Sequence, residues 1–276
     1  LDGVVLVVAA VEGVQPQTRV LTRALKRLGL PTLLFVNKID RRGARFESLL
    51  RDLAENLALN VVPLGVTAHL GTPDACFTPY SPDDPDFRAA LLEALTPHND
   101  ALLAAYVDGQ PVSSTALCRE LKVQTRNARV HPVLFGSAVT GAGIGALITA
   151  LQTLLPRAES NADGPVRGTV FGLERGAKGE RVAYVRLFSG TVRVRVRLPY
   201  GGHEGKVTAL NVFGQGSAAP NATSSETLVS GQIGKVWGLA EVRIGDALGA
   251  SGTVPARHFA PPTLSTRSRS ASPSRS

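Results

Sequence analysis

The 276-residue sequence has no Met, only two Cys, one Trp and 5% aromatic residues. Cys76 and Cys118 lie far apart with no C-x-x-C pair, so neither a disulfide framework nor a structural zinc site is supported, and buried or idle thiols are expected. No stretch reaches the roughly 18 consecutive apolar residues that span a bilayer, and no charged segment with a cleavable apolar run opens the chain. No membrane partner is expected, and the sequence reads as that of a cytoplasmic protein. The histidines His69, His98, His131, His203 and His258 show no metal-ligand spacing and read as loop or surface residues. Asn221-Ala222-Thr223 matches a glycosylation acceptor, but nothing points to secretion. The missing Met, with Leu1-Asp2-Gly3 running straight into an apolar stretch, predicts a piece of a longer chain.

What is present suits a globular protein. A composition of 43% hydrophobic and 19% charged residues excludes wholesale disorder and coiled-coil or collagen-like architecture. The length fits one large or two ordinary domains of roughly 100 to 200 residues each. Lys and Arg total 30 against 22 acidic residues, a net charge of +8, but 24 of the 30 are Arg in a chain rich in Ala and Gly. That bias reads as coding composition, and it says little about partners.

The run from Gly3 to Ala10 is of the β-branched kind buried on both faces of a parallel sheet, and it predicts a central strand. Val20, Leu21, Ala24, Leu25 and Leu28 then follow helical spacing between Thr18 and Gly29, with Gly29 where a helix C-terminal glycine belongs. Pro31 to Val36 reads as a second buried strand, Phe46 to Leu57 as a helix, and Val61 to Val66 as a third strand ahead of a Pro- and Asp-rich loop. Helical patterns resume near Phe87 and continue with breaks to about Arg126. Val130 to Phe135 is a further strand and Ile144 to Leu155 a last helical stripe. Alternating strands and helices predict a doubly wound α/β domain over 1–156, with ligands outside the carboxyl ends of the strands.

Beyond a Pro, Gly, Asn and Ser-rich linker the periodicity becomes two. Val182, Tyr184, Arg186 and Phe188 alternate with Ala183, Val185 and Leu187, and Thr191 to Leu198 alternates Val with Arg. Glycine-containing turns at Ser189-Gly190 and Gly201-Gly202 punctuate these strands, which predicts an antiparallel β-barrel domain over 165–254. Residues 255–276 read as a disordered Arg/Ser-rich tail.

The chemistry concentrates at Asn37-Lys38-Ile39-Asp40, directly after a buried strand. A carboxylate such as Asp40 accepts two hydrogen bonds from the ring N–H and exocyclic amine of guanine, a donor pair that adenine lacks. Asn37 can bond the purine's other edge and tie neighbouring loops together, while the aliphatic stem of Lys38 can lie across the base. A second loop, Gly136-Ser137-Ala138, follows another buried strand. Its small residues let the backbone N–H of Ala138 approach a purine carbonyl, with Ser137 bracing the loop. Two base-reading loops at strand ends of one sheet are stronger than either alone.

These loops resemble the fourth and fifth guanine-nucleotide motifs of the translational GTPases. Glu12 to Arg19 is similar to the segment that follows switch II in elongation factor G relatives. Gly168-Thr169-Val170-Phe171 and Arg181 to Thr191 are similar to that family's barrel signature. Within the class, Gln15 to Leu21, Phe35 to Asp40, Asn99 to Tyr106 and His131 to Ala138 most resemble the tetracycline-resistance ribosomal protection proteins. The resemblance implies the C-terminal part of a P-loop GTPase domain followed by a β-barrel domain. It implies GTP/GDP as cofactor, the ribosome, with its RNA and proteins, as partner, and a monomer that displaces tetracycline in a GTP-dependent manner. Elongation factor G itself, a peptide-release-type translational GTPase, or a non-enzymatic ribosome- or RNA-binding remnant are the alternatives.

The sequence carries no G-x-x-x-x-G-K-[ST] loop to cradle phosphates. The nearest approaches, Gly201 to Val207 and Gly231 to Val236, have the wrong spacing and read as barrel turns. The Asp-x-x-Gly of switch II with the family's catalytic His is absent too. No residue here is therefore assigned as catalytic, hydrolysis by this piece is not expected, and Mg2+ is expected only in the full-length protein. Arg193, Arg195 and Arg197 fall on one face of the Val/Arg alternation and are candidates for contact with ribosomal RNA phosphates.

Overall fold

The computed structural model describes residues 2–156, 161–176, 179–213 and 226–249. They form two compact units, one ending at Pro156 and the other beginning after it. The Arg/Ser-rich tail, His258 and the Asn221-Ala222-Thr223 triplet lie outside the described residues.

In chain order the first unit contains β1 (Val4–Ala9), α1 (Pro16–Leu28), β2 (Thr32–Asn37), α2 (Glu47–Leu57), β3 (Val61–Pro63), β4 (Gly65–Ala68), β5 (Cys76–Pro79), α3 (Pro85–Leu95), a 3-10 turn Thr96–His98, α4 (Asp100–Val107), α5 (Ser114–Arg126), β6 (His131–Phe135) and α6 (Ile144–Leu154). Four strands make a parallel sheet in the order β1-β2-β6-β3. The apolar runs of β2 and β6 occupy its centre: every residue of β6 is buried, and in β2 only Asn37, at its end, is not. Helix α1 starts at Pro16, whose fixed φ suits the first helical turn, and stops at Gly29, which takes the left-handed φ of 60°. Helix α2 buries Leu49, Leu53 and Leu57 on one stripe, and the Phe46 ring packs 4.6 Å from that of Phe135.

The second unit contains β7 (Arg167–Arg175), β8 (Arg181–Ser189), β9 (Thr191–Arg193), β10 (Arg197–Tyr200), β11 (His203–Lys206), β12 (Ala209–Val212), β13 (Thr227–Val229), β14 (Ile233–Trp237) and β15 (Ala247–Gly249). Seven of them form a curled antiparallel sheet, β11-β10-β15-β7-β8-β14-β12, accompanied by the ribbon β9-β13, so the barrel takes the form of a half-barrel. Alternate residues Val170, Val185, Leu187, Leu210 and Val236 fill its core. Gly201-Gly202 is the two-residue loop of the β10–β11 hairpin, both glycines at positive φ, and Gly231 sits in the turn leading into β14. Each glycine stretch thus opens on a turn and runs on as a strand, β11 in the first and β14 in the second.

Four sequence expectations are corrected. β1 is an edge strand of the described sheet, with Val7 55% exposed, because it pairs only with β2 among the described residues. The strand expected over Val61 to Val66 breaks at Leu64. There the N–H of Leu64 bonds Val133 O, and the chain departs as β4, which pairs antiparallel with β5 in a hairpin. A side chain at Gly65 would collide with the backbone of Pro79 and the ring of Phe77, so glycine permits that crossing. The Val/Arg alternation is not one strand: Arg195 sits at φ 74°, which ends β9 and starts β10. His131 is buried within β6, where it pairs with Val61 of β3 inside the parallel sheet. Cys76 is exposed on β5, whereas Cys118 is half-buried, its thiol pushed up chiefly by burial. No helix among the described residues is long and apolar enough to cross a membrane.

Candidate functional site

Because β2 and β6 are parallel neighbours, paired from Leu34↔Val133 to Val36↔Phe135, their carboxyl ends open side by side. That register brings Asn37-Lys38-Ile39-Asp40 and Gly136-Ser137-Ala138 together. Asn37 Oδ1 accepts the backbone N–H of Lys38 at 2.8 Å and that of Ala138 at 3.0 Å. Ile39 is fully buried as an anchor, and its N–H donates to Gly136 O at 3.2 Å. A side chain at Gly136 would stand 2.6 Å from the Phe35 ring and overlap the Ala142 carbonyl, so only glycine lets the two loops approach. Ser137 is buried, and its Oγ accepts the N–H groups of Val139 at 3.2 Å and Thr140 at 3.3 Å. It therefore braces the loop that presents Ala138.

The carboxyl of Asp40 is enclosed, its side chain only 11% exposed, and Oδ1 is buried without a hydrogen-bond partner. Oδ2 lies 3.7 Å from Arg41 Nε, the nearest cation. A shielded carboxylate oxygen with no donor is costly unless a donor arrives, and a ring N–H is a donor of the kind that would satisfy it. This orphaned oxygen is the observation that fits a guanine base to the site. Lys38 adopts φ 67°, a left-handed conformation uncommon for a long side chain, and its Nζ bonds Glu12 Oε1 at 2.9 Å. The Lys38 hydrogen bond holds the Glu12 carboxyl below the usual carboxylate range.

Asn37, Lys38, Asp40, Ser137 and Ala138 thus converge in one place. The Ala138 N–H, read from sequence as a donor to a purine carbonyl, is engaged by Asn37 instead. Arg193, Arg195 and Arg197 belong to the second unit; Arg193 and Arg197 are exposed, Arg195 too, and Arg197 pairs with Glu204 at 3.0 Å. Glu12 was missed as a site residue, because its partner is 26 positions away and only the pairing of β1 with β2 brings the two together. Among the described residues no three His, Cys, Asp or Glu side chains are grouped so as to hold a metal ion.

Residues 1–157 match the family profile of the elongation factor Tu GTP binding domain. The oxytetracycline resistance protein of Streptomyces rimosus is 48% identical over 278 residues, covering 96% of this chain and 41% of that protein. The tetracycline resistance protein TetM of Streptomyces lividans is 41% identical over 279 residues, covering 99% of this chain and 43% of that protein. A crystal structure of a Thermus thermophilus protein is similar with a TM-score of 0.70 over 91% of this chain and 41% of that one, and at 23% identity it speaks to the fold alone. The chain spans about two-fifths of the length of these relatives. By these matches, and in keeping with its paired strand-end loops, the chain belongs to the elongation factor Tu GTP-binding-domain family and is homologous there to the tetracycline resistance proteins.

Proposed function

We propose that this chain is part of a ribosome-associated GTPase that protects the ribosome from tetracycline by displacing the drug in a GTP-dependent manner. The base is read at the ends of β2 and β6. Asp40 accepts the ring N–H and exocyclic amine of guanine, and its buried, partnerless Oδ1 is the observation that carries this assignment. Adenine offers no such donor pair and leaves the carboxylate unpaired, which is the basis for strong discrimination. The stem of Lys38 lies along the base, Asn37 holds the two loops in register by accepting the Ala138 N–H, and Ser137 fixes the backbone of the second loop. Phosphate binding, Mg2+ and hydrolysis are assigned to the longer protein, so no residue of this chain is given a catalytic role. The drug-protection reading is supported by the relatives at 48% and 41% identity, which are named for resistance to oxytetracycline and tetracycline.

On this reading the protein is a cytoplasmic monomer. Its second unit approaches ribosomal RNA through exposed Arg193 and Arg195, with Arg197 contributing less because Glu204 already neutralises it. The test compares GDP with ADP in calorimetric titrations of the chain, and its cosedimentation with ribosomes as salt rises. Guanine-selective binding together with salt-sensitive ribosome association supports the reading. Equal binding of GDP and ADP, or no ribosome association at low salt, overturns it.

A further inference from the structure

Glu12 stands outside the two base-reading loops, yet it is held against them. It occupies the turn that leaves the carboxyl end of β1. That turn is fixed on several sides: the N–H of Gly13 donates to Ala9 O at 2.9 Å, the N–H of Ala10 donates to Asn37 O at 2.8 Å, and Gln15 Nε2 donates to Glu12 O at 3.0 Å. Gly13 takes φ 67°, and a side chain there would stand 2.8 Å from Arg45 Nη2, so the turn closes tightly. The Ala10 to Asn37 bond carries the β1–β2 pairing up to the first residue of the base-reading loop.

The other half of the contact is equally constrained. Lys38 is held at φ 67°, where its N–H reaches Asn37 Oδ1 at 2.8 Å. A left-handed conformation is unfavourable for a residue of this type and persists only where its surroundings enforce it. The side chain so directed ends on Glu12 Oε1 at 2.9 Å, with both partners 47% exposed.

We infer that Glu12 is a positioning residue for guanine nucleotide recognition: by anchoring Lys38 Nζ it sets the line of the lysine stem across the base. The inference rests on the base-pocket reading of Asn37 to Asp40. An unanchored lysine samples many rotamers in water, and ordering it on binding costs rotamer entropy, so the ion pair arranges the stem in advance. The Lys38 hydrogen bond, and then the backbone around it, hold the Glu12 carboxyl below the ordinary range.

The test uses the full 276-residue chain with GDP, ADP and xanthosine diphosphate as probes, and the variants Glu12→Gln, Glu12→Asp, Lys38→Gln and the Glu12→Gln/Lys38→Gln pair. An exposed ion pair of this kind predicts that Glu12→Gln weakens GDP binding by about two- to fivefold. Glu12→Asp, which keeps the carboxylate, recovers part of that loss. In the Lys38→Gln background Glu12→Gln has no further effect, a coupling that a purely structural role for the turn does not produce. Discrimination between GDP and xanthosine diphosphate is unchanged in every Glu12 variant, because Asp40 sets it. Additive losses in the double variant, or GDP binding indifferent to Glu12→Gln, overturn the inference and leave the pocket standing. Failure of the unaltered chain to prefer GDP over ADP overturns the pocket itself, and the role of Glu12 with it.

Discussion

The backbone N–H of Ala138 donates to Asn37 Oδ1 at 3.0 Å across a separation of 101 residues. The same oxygen accepts Lys38 N–H, so one side chain holds both strand-end loops. Asn37→Ala leaves two N–H groups without acceptors, and at about 0.5 to 1.5 kcal/mol per bond it is expected to remove roughly 1 to 3 kcal/mol of stability. Urea unfolding of the chain measures this, and an unchanged midpoint shows that the loops hold together without the bond.

Asp40→Asn exchanges a carboxylate that accepts two guanine donors for an amide that donates one and accepts one. Charge-assisted hydrogen bonds carry about 1.5 to 3 kcal/mol, so GDP affinity is expected to drop roughly ten- to a hundredfold while xanthosine diphosphate gains. Competition between the two nucleotides reads out the exchange directly. A variant that still prefers guanine places the specificity elsewhere.

Gly136→Ala inserts a methyl against the Phe35 ring and the Ala142 carbonyl. Neither can withdraw freely, since Phe35 is buried in β2 and the Ala142 carbonyl accepts the N–H of Ser137 at 2.9 Å. The expected result is a loss of about 1 to 3 kcal/mol with displacement of Ser137 and Ala138. Thermal unfolding and amide exchange of the 137–140 segment check it; wild-type values for both exclude a tight approach at this point.

His131 makes stability depend on pH in a direction that can be worked out. Burial, reinforced by the charge of Lys26 and partly opposed by the backbone at Asn60, lowers its pKa from 6.5 to about 4, and its Nδ1 has no partner. Above pH 6.5 both folded and unfolded forms are neutral and the group exerts no pH dependence. Between about 6.5 and about 4 the unfolded chain takes up a proton that the folded chain refuses, so stability is lost as pH falls, by an order of 3 kcal/mol at most. His131→Gln removes this contribution, and the wild-type minus variant difference in urea stability is expected to slope across that window. Parallel curves contradict a neutral buried imidazole.

Replacing Arg193 and Arg195 by Ala is expected to weaken RNA binding and reduce the slope of log affinity against log salt by about one for each phosphate that is no longer neutralised. Adding Arg197→Ala changes the slope less, because Glu204 already neutralises that guanidinium. Fluorescence anisotropy with a ribosomal RNA fragment over a salt series measures both.

Local sequence determined the elements with strong periodicity or chain punctuation. The apolar runs of β2 and β6, the Pro16 to Gly29 helix with its proline start and glycine stop, and the period of two in β8 are set by neighbours in the chain. The two strand-end loops proposed to read the base were legible too, because a carboxylate and small residues directly after buried strands stand out in the sequence. Only the tertiary structure decided what depends on residues brought from afar. It placed β1 at an edge, turned Val61 to Val66 into a strand and a hairpin arm, and broke the Val/Arg alternation at Arg195. It buried His131, engaged the Ala138 N–H with Asn37, and set Glu12 against Lys38. Strand order and register fix each of these outcomes, and register is a property of pairs of segments, which no local run of residues contains.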